Sequence, residues 1–149
     1  MIRYAAAFLF SLCLFSAAQA ADRALLIGIG TYASLPEKMF LEGPKNDVPL
    51  IEKLLKEKLG YSADQIRILR DKDATRASIL ASIDEWLVNG TQPGDRVYFY
   101  FSGHGPQVKD LNGDEEEGLD EALSTYDIAV GDGDWTNGIP DDEIDAMLA

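Results

Sequence analysis

One histidine is the side chain of this sequence best suited to acid–base chemistry. His104 is the only histidine among the 149 residues, and it lies between two glycines, directly after the apolar run 97–101 and Ser102. Imidazole exchanges protons near neutral pH, so a histidine held at the end of a buried strand could serve as a general base and acid. A structural histidine in a turn is the simpler alternative, and the residue types alone leave it open.

Carboxylates form the second group of candidates, and many of them lie in the densely acidic segment 110–121. Clustered carboxylates repel one another, and a bound hard cation such as Ca²⁺ would relieve that repulsion. A solvated acidic loop explains the same pattern. In the same way, a simple role as helix N-cap would explain Asp47 and Asp141.

The first twenty residues have the pattern of a secretory signal peptide. Residues 1–4 form a short basic start, and residues 5–17 are apolar. Ala18-Gln19-Ala20 matches a small-x-small cleavage site. We therefore expect export to the periplasm or the medium, with no membrane attachment after cleavage. The one cysteine, Cys13, lies inside this segment, so residues 21–149 contain neither a disulfide nor a thiol nucleophile.

The net charge of −13 at pH 7 excludes one broad class of partner. A chain this acidic does not seek phosphate backbones, so we expect no nucleic-acid binding, whereas metal cations and basic peptide groups are suitable partners. Gly28-x-Gly30-x-x-Ala33 matches a loose dinucleotide fingerprint, but Pro36 interrupts the helix that such a site requires, so no nucleotide site is expected. We also expect a monomer.

Strands and helices that alternate along the chain are predicted to position these residues. Apolar strands are predicted at 23–30, 65–69 and 95–102, and the helices between them are predicted to start at Asn46-Asp47 and at Thr75. This alternation predicts an α/β fold with a mostly parallel sheet and helices on both faces. Sites in such sheets form at the carboxyl ends of the strands, where His104 follows the third strand. A last helix is predicted to open at Pro140-Asp141-Asp142.

Five motifs, in order along residues 23–149, resemble those of one peptidase family. They are Ala24-Leu-Leu-Ile-Gly-Ile29, Gly43-x-x-Asn46-Asp47, Tyr98-Phe-Tyr-Phe-Ser-Gly-His-Gly105, Asp114-Glu-Glu-Glu-Gly-Leu-Asp-Glu-Ala-Leu123 and Ile139-Pro-Asp-Asp-Glu-Ile144. Together they are similar to the motifs of the caspase-like cysteine peptidases, and within these of the metacaspases. The resemblance implies a caspase-like three-layer sandwich as the fold and peptide-bond cleavage by a cysteine endopeptidase as the activity.

The same resemblance implies a role for each candidate residue. His104 would be the histidine of a Cys–His dyad, and the backbone N–H of Gly105 would stabilise the oxyanion. Asp47 and Ser102 would line the primary specificity pocket, where a carboxylate favours peptide or protein substrates cleaved after Arg or Lys. Three aspartates would bind calcium as an activating cofactor, namely Asp120, Asp141 and Asp142.

Two features depart from the family pattern. Pro44 stands where many metacaspases have a cysteine, which alters one wall of the pocket. The nucleophilic cysteine is expected about 50 residues after the histidine, beyond Ala149. We therefore interpret residues 21–149 as a catalytic domain that stops before the strand carrying the cysteine and is inactive alone. A non-catalytic caspase-like module that binds calcium or a partner is the alternative.

Overall fold

The computed structural model describes residues 22–110, 113, 115, 117–131 and 133–149. The predicted signal peptide over residues 1–20, with Cys13, lies outside the described residues, and so does Asp114 of the acidic motif. None of the helices in the described part of the chain is long and apolar enough to cross a membrane.

Three parallel strands form the central sheet. β1 (Arg23–Gly28) lies between β2 (Ile66–Arg70) and β3 (Val97–Ser102). Residues 24–27 are fully buried because helices cover both faces of this middle strand, and an unbroken apolar run suits that position. All three strands end at one edge of the sheet, where the sequence predicts the site. Among the described residues, β3 pairs with β1 alone.

Helices cover both faces of the sheet. α1 (Gly43–Lys58) packs on one face, while α2 (Arg76–Ser82) packs on the other and continues as the π-helical stretch Ile83–Val88. The last helix, α3 (Asp141–Leu148), joins α2 on that second face. Alternate residues of β1 point to opposite faces, so each face has its own apolar core. The architecture is a mixed α/β fold with a parallel sheet between helices, as the strand–helix alternation predicts.

The first helix begins earlier than the sequence pattern predicts. α1 starts at Gly43 and carries Pro44 in its first turn. Proline is tolerated there because the first backbone N–H groups of a helix have no partner within the helix. Asp47 therefore lies inside α1, and the interpretation of Asp47 as an N-cap is wrong.

The other two helices differ in how their first turns are capped. Thr75 caps α2 as predicted, since its Oγ1 accepts the backbone N–H of Ser78 at 3.2 Å. α3 begins at Asp141 itself, with Pro140 before it, so an N-cap role for Asp141 is wrong. The carboxylate of Asp141 instead accepts the backbone N–H of Asp142 at 3.1 Å.

Among the described residues, five short antiparallel strands follow β3 along the chain. β4 (Gln107–Lys109) pairs with β5 (Leu119–Leu123), which also pairs with β8 (Ile139–Pro140). Between β5 and β8, β6 (Ala129–Gly131) and β7 (Asp134–Thr136) form a hairpin. For the part of the chain that follows His104, the sequence pattern predicts one short strand, over residues 122–128, because strands this short carry too little periodicity to be recognised.

An ion pair joins the residues that precede β1 and β3. The carboxylate of Asp22 accepts the backbone N–H of Arg96 at 2.8 Å and the Nε–H of the same arginine at 2.9 Å. The hydrogen bonds from Arg96 hold the pKa of Asp22 below its ordinary value, because they stabilise the charged carboxylate. The pair therefore contributes to stability only while Asp22 is ionised.

Asp22→Asn is expected to make the fold less sensitive to acid. An unfolded aspartate has a pKa of about 3.9 and the folded pKa lies lower, so the contribution is complete above about pH 4 and is lost as the pH falls through the folded pKa. Urea unfolding at about pH 7 and about pH 3 measures the loss of unfolding free energy, which should be smaller in the variant. Asp145→Asn, which changes an exposed carboxylate on α3, is the control and should keep the wild-type loss. An undiminished loss in Asp22→Asn would contradict the role of the pair.

Candidate active site

His104 lies at the carboxyl edge of the sheet, two residues after β3. Gly103 makes the close packing at this turn possible, since a Cβ there would lie 2.7 Å from Cζ of Phe101 and 3.3 Å from the hydroxyl oxygen of Tyr32. The shorter distance is well inside van der Waals contact, so any larger residue would displace the neighbouring side chains or the turn. Close packing therefore requires glycine at position 103, in addition to the backbone freedom that glycine provides.

A backbone carbonyl orients the imidazole of His104. Its Nε2 lies 2.7 Å from the carbonyl oxygen of Met39. A carbonyl can only accept a hydrogen bond, so Nε2 carries a proton, and Nδ1 is the nitrogen that can accept one in the neutral ring. The contact thus fixes both the ring orientation and the tautomer expected of a general base.

A buried tyrosine holds the same histidine from a second side. The hydroxyl of Tyr32 accepts the backbone N–H of His104 at 2.9 Å, and the two ring centroids are 5.3 Å apart. The phenol also donates to the carbonyl of Ile29 at 3.2 Å. Burial raises the pKa of Tyr32, with the hydrogen bond from His104 opposing it, so the phenol stays protonated and keeps its donor. Tyr32 and Met39 both belong to the loop between β1 and α1, which therefore sets the position of His104.

A small cavity of about 110 Å³ opens beside the imidazole. Its lining residues come from four segments of the chain, and they are Met39, His104, Gly105, Pro106, Ser124 and Trp135. Ser124 is 1% exposed, its backbone N–H donates to the carbonyl of His104 at 3.0 Å, and its Oγ has no hydrogen-bond partner among the described atoms. The cavity can hold one small group next to the ring, with the exposed backbone of Gly105 at its side.

Asp47 and Ser102 meet at the same edge, on the face that α1 covers. The hydroxyl of Ser102 donates to Oδ2 of Asp47 at 2.8 Å, and both side chains are half-buried. The backbone carbonyl of Ser102 accepts the N–H of Ile29 at 2.9 Å, which ties the end of β3 to the start of the loop that holds His104. The structure therefore brings together the two residues that the family resemblance assigns to a common pocket, and the negative charge of Asp47 suits a cationic group.

Comparison with known proteins identifies the family of this chain. The family model for the metacaspase, peptidase C14 domain matches residues 22–149. The chain belongs to the metacaspase family. It is 42% identical over 113 residues to metacaspase-1 of Cryptococcus neoformans and 38% identical over 140 residues to metacaspase-1B of Aspergillus fumigatus. These alignments cover 71% and 90% of the chain.

A solved structure is similar to this metacaspase domain in fold. The crystal structure of protein GSU0716 from Geobacter sulfurreducens superposes with a TM-score of 0.64 at 26% sequence identity, covering 85% of this chain and 44% of that one. The chain spans 24% of the Cryptococcus relative's length and 32% of the Aspergillus relative's length.

The three aspartates predicted to bind calcium do not form a complete metal site. Asp120 is 5% exposed on β5, and Asp141 and Asp142 open α3, which packs on β5. Aspartate oxygens suit Ca²⁺, but the ion takes about six to eight oxygen ligands. Within the described residues, no group of three acidic, histidine or cysteine side chains lies close enough to hold a metal ion. The donor set is incomplete there, so no catalytic step is assigned to a cation.

Three residues that hydrogen-bond to His104 are missing from the sequence prediction. Met39 contributes its backbone carbonyl, which any residue type would offer, so the sequence carries no signal for it. Tyr32 is a single aromatic residue in an irregular loop, and Ser124 follows a short strand. A buried hydroxyl without a partner is recognisable only once the fold is known.

Proposed function

We propose that this chain is part of a cysteine endopeptidase in which His104 is the general base and acid. The observation that carries the proposal is the 2.7 Å contact between Nε2 of His104 and the carbonyl of Met39, because it turns Nδ1 into the proton acceptor. Nδ1 takes the proton of a cysteine thiol, and the thiolate attacks the scissile carbonyl. The C–N bond breaks as Nδ1 returns the proton to the leaving amine, and water then hydrolyses the thioester, with Nδ1 as its base.

The oxyanion of the tetrahedral intermediate is proposed to bind the backbone N–H of Gly105. Gly105 lines the cavity next to His104, and its lack of a side chain lets the scissile carbonyl approach the backbone closely. Preorganised N–H donors stabilise developing charge without any reorganisation during the reaction. The position of Gly105 supports this role.

Substrate preference is proposed to come from Asp47 and Ser102. The carboxylate accepts the Ser102 hydroxyl through Oδ2, and we propose that Oδ1 faces an incoming guanidinium or ammonium group. The pair supports cleavage after Arg or Lys, and the net charge of −13 favours the approach of basic peptides.

The nucleophile has to be a cysteine from outside the described residues, since those residues contain none. We propose that the 149-residue chain alone has no peptidase activity and that the full-length gene product does. The competing hypothesis, a non-catalytic caspase-like module that binds calcium or a partner, is favoured by the same lack of cysteine.

A matched pair of peptides tests the proposal. The full-length gene product is assayed on two fluorogenic peptides that differ only in Arg or Asp before the scissile bond. Cleavage of the Arg peptide, with the Asp peptide left intact and with loss of activity on thiol alkylation, is the expected result. No cleavage of either peptide would support the non-catalytic module, and preferred cleavage after Asp would contradict the proposed pocket.

Calcium is proposed as a weak stabilising ligand at Asp120 and the first turn of α3. Support comes from the burial of Asp120 on β5 and from the packing of α3, which Asp141 and Asp142 open, against that strand. Export through the predicted signal peptide is also proposed, and it would bring the chain to a compartment where such a weak site can fill. We propose peptide or protein substrates and a monomeric state as well.

Calcium titration by calorimetry should give a dissociation constant of about 10⁻⁴–10⁻³ M, the range of extracellular calcium modules. Asp120→Asn is expected to weaken binding by about tenfold or more, because it removes one charged ligand. The control is Asp145→Asn, which removes an exposed carboxylate further along α3 and should leave the affinity unchanged. Absence of binding heat at millimolar calcium, or equal affinity in Asp120→Asn, would contradict the proposed calcium site.

A further inference from the structure

We propose that Asp71 is a positioning residue for His104, acting through the loop between β1 and α1. Its carboxylate lies at the end of β2, and the histidine follows the end of β3, two strands away in the sheet. The proposal rests on the proposed function only in so far as His104 is the acid–base group. The geometric role of Asp71 can be measured separately.

The carboxylate of Asp71 clamps the start of that loop. Its Oδ1 accepts the backbone N–H groups of Gly30 and Thr31, both at 2.9 Å. These two N–H groups lie just beyond the end of β1, where no neighbouring strand of the described sheet pairs with them. A carboxylate that accepts two backbone donors forms charge-assisted hydrogen bonds, which are stronger than neutral ones.

Asp71 makes these bonds from a backbone conformation that few residues other than glycine adopt. Its φ is 41°, in the left-handed region that favours glycine. A simple turn at this position would be better served by glycine, so the aspartate side chain has to contribute something that glycine cannot. The paired hydrogen bonds to Gly30 and Thr31 are that contribution.

The clamped loop carries both groups that orient His104. Tyr32, next to Thr31, accepts the backbone N–H of the histidine, and the carbonyl of Met39 accepts its Nε2–H. The loop returns to its own start, since Leu41 donates to the carbonyl of Gly30 at 2.8 Å. Movement of residues 30–31 would therefore displace both contacts of the imidazole together.

The turn that contains Asp71 anchors the loop a second time. The backbone N–H of Ala74 donates to the carbonyl of Asp71 at 2.8 Å, and the carbonyl of Ala74 accepts the N–H of Tyr126 at 2.9 Å. The backbone carbonyl of Tyr126 in turn accepts the N–H of Ala33 at 2.9 Å. Because this backbone path does not need the carboxylate, the loop should remain folded but looser when the carboxylate is removed.

Two variants of Asp71 and one control variant separate the role of the carboxylate from that of the turn. Asp71→Gly removes the acceptor and relieves the positive φ, so the turn itself should survive. Asp71→Asn keeps an oxygen acceptor and tolerates the left-handed conformation, so it should restore the clamp. Asp73→Ala is the matched control, because Asp73 is an exposed aspartate in the same turn.

The readout is solvent exchange of the Hε2 proton of His104, measured by NMR on the 149-residue chain. The signal is assigned by its absence in His104→Gln. The Met39 carbonyl should protect this proton. We expect exchange about tenfold or more faster in Asp71→Gly, and within about twofold of wild type in Asp71→Asn and Asp73→Ala. Unchanged exchange in Asp71→Gly would overturn the proposal, as would an Asn variant that exchanges as fast as the Gly variant.

Kinetics on the full-length gene product add a second readout. Asp71→Gly should lower kcat for an arginyl peptide by about tenfold or more while KM changes little, because a misplaced imidazole impairs chemistry more than binding. A wild type that cleaves no peptide would contradict the proposed function, and the exchange measurement would still decide the role of Asp71. A change in KM alone would overturn the positioning role.

Discussion

Replacing Asp47 by asparagine is expected to lower kcat/KM for arginyl and lysyl peptides by about 30- to 150-fold in the full-length gene product, because a half-buried charge pair contributes about 2–3 kcal/mol. Asparagine has the shape of aspartate and can still accept the Ser102 hydroxyl, so the fold and the hydrogen bond at 2.8 Å should persist. The loss then reports the missing charge. Steady-state kinetics with Arg, Lys and citrulline peptides measure it.

Citrulline, the neutral analogue of arginine, should be cleaved equally well by the wild type and by Asp47→Asn. Glu57→Gln is the control, since Glu57 is an exposed carboxylate at the far end of α1 and also changes the net charge by one. An equal loss in both variants would mean that overall charge, and not the pocket, determines the preference for basic peptides. Unchanged cleavage of Arg peptides by Asp47→Asn would contradict the assignment of Asp47.

Replacing His104 by glutamine is expected to lower kcat by about 10²- to 10⁴-fold, which is the usual contribution of a general acid–base group. Glutamine can still donate to the Met39 carbonyl, so the loop contact can form while the proton acceptor is lost. Because the imidazole is half-buried at the sheet edge, stability should change little. Single-turnover kinetics and thermal unfolding measure the two effects.

Tyr32→Phe provides a comparison for the His104 variant. It removes the hydroxyl that accepts the His104 backbone N–H and keeps the ring contact. Its effect on kcat should be smaller, at about tenfold, because the imidazole keeps its Met39 contact. A glutamine variant that retains more than about a tenth of wild-type kcat would contradict a catalytic role for His104.

The central sheet and the place of His104 could be predicted because they depend on side-chain pattern. β1 is an apolar run that only a strand covered on both faces can use, and alternation with helices requires parallel strands that end at one edge. The two glycines that flank His104 also indicate a tight turn, because glycine permits backbone conformations that a Cβ would block. These features come from local sequence and from one topological rule, so they need no knowledge of distant contacts.

The supporting contacts of the site could not be predicted because they depend on backbone atoms and on distant parts of the chain. Met39 acts through its backbone carbonyl. It is distant from His104 in the sequence, and only the completed fold brings the two residues into contact. Asp71 looks in the sequence like an ordinary turn residue, and its two acceptor contacts appear only when β1 and β2 lie side by side. The sequence pattern predicts the start of α1 too late because proline generally breaks helices, whereas Pro44 lies in the first turn, which proline suits.

The protonated ring nitrogen of His104 is the most direct test of the proposed active site. Long-range ¹H–¹⁵N spectra of the full chain distinguish the two ring nitrogens under alkaline conditions, where imidazole is neutral. The signal is assigned by its loss in His104→Gln. A proton fixed on Nε2, with Nδ1 unprotonated, is the predicted result, because the Met39 carbonyl holds that proton. A proton on Nδ1, or the mixture found in free imidazole, would contradict the proposed role of His104 as the base for a cysteine thiol.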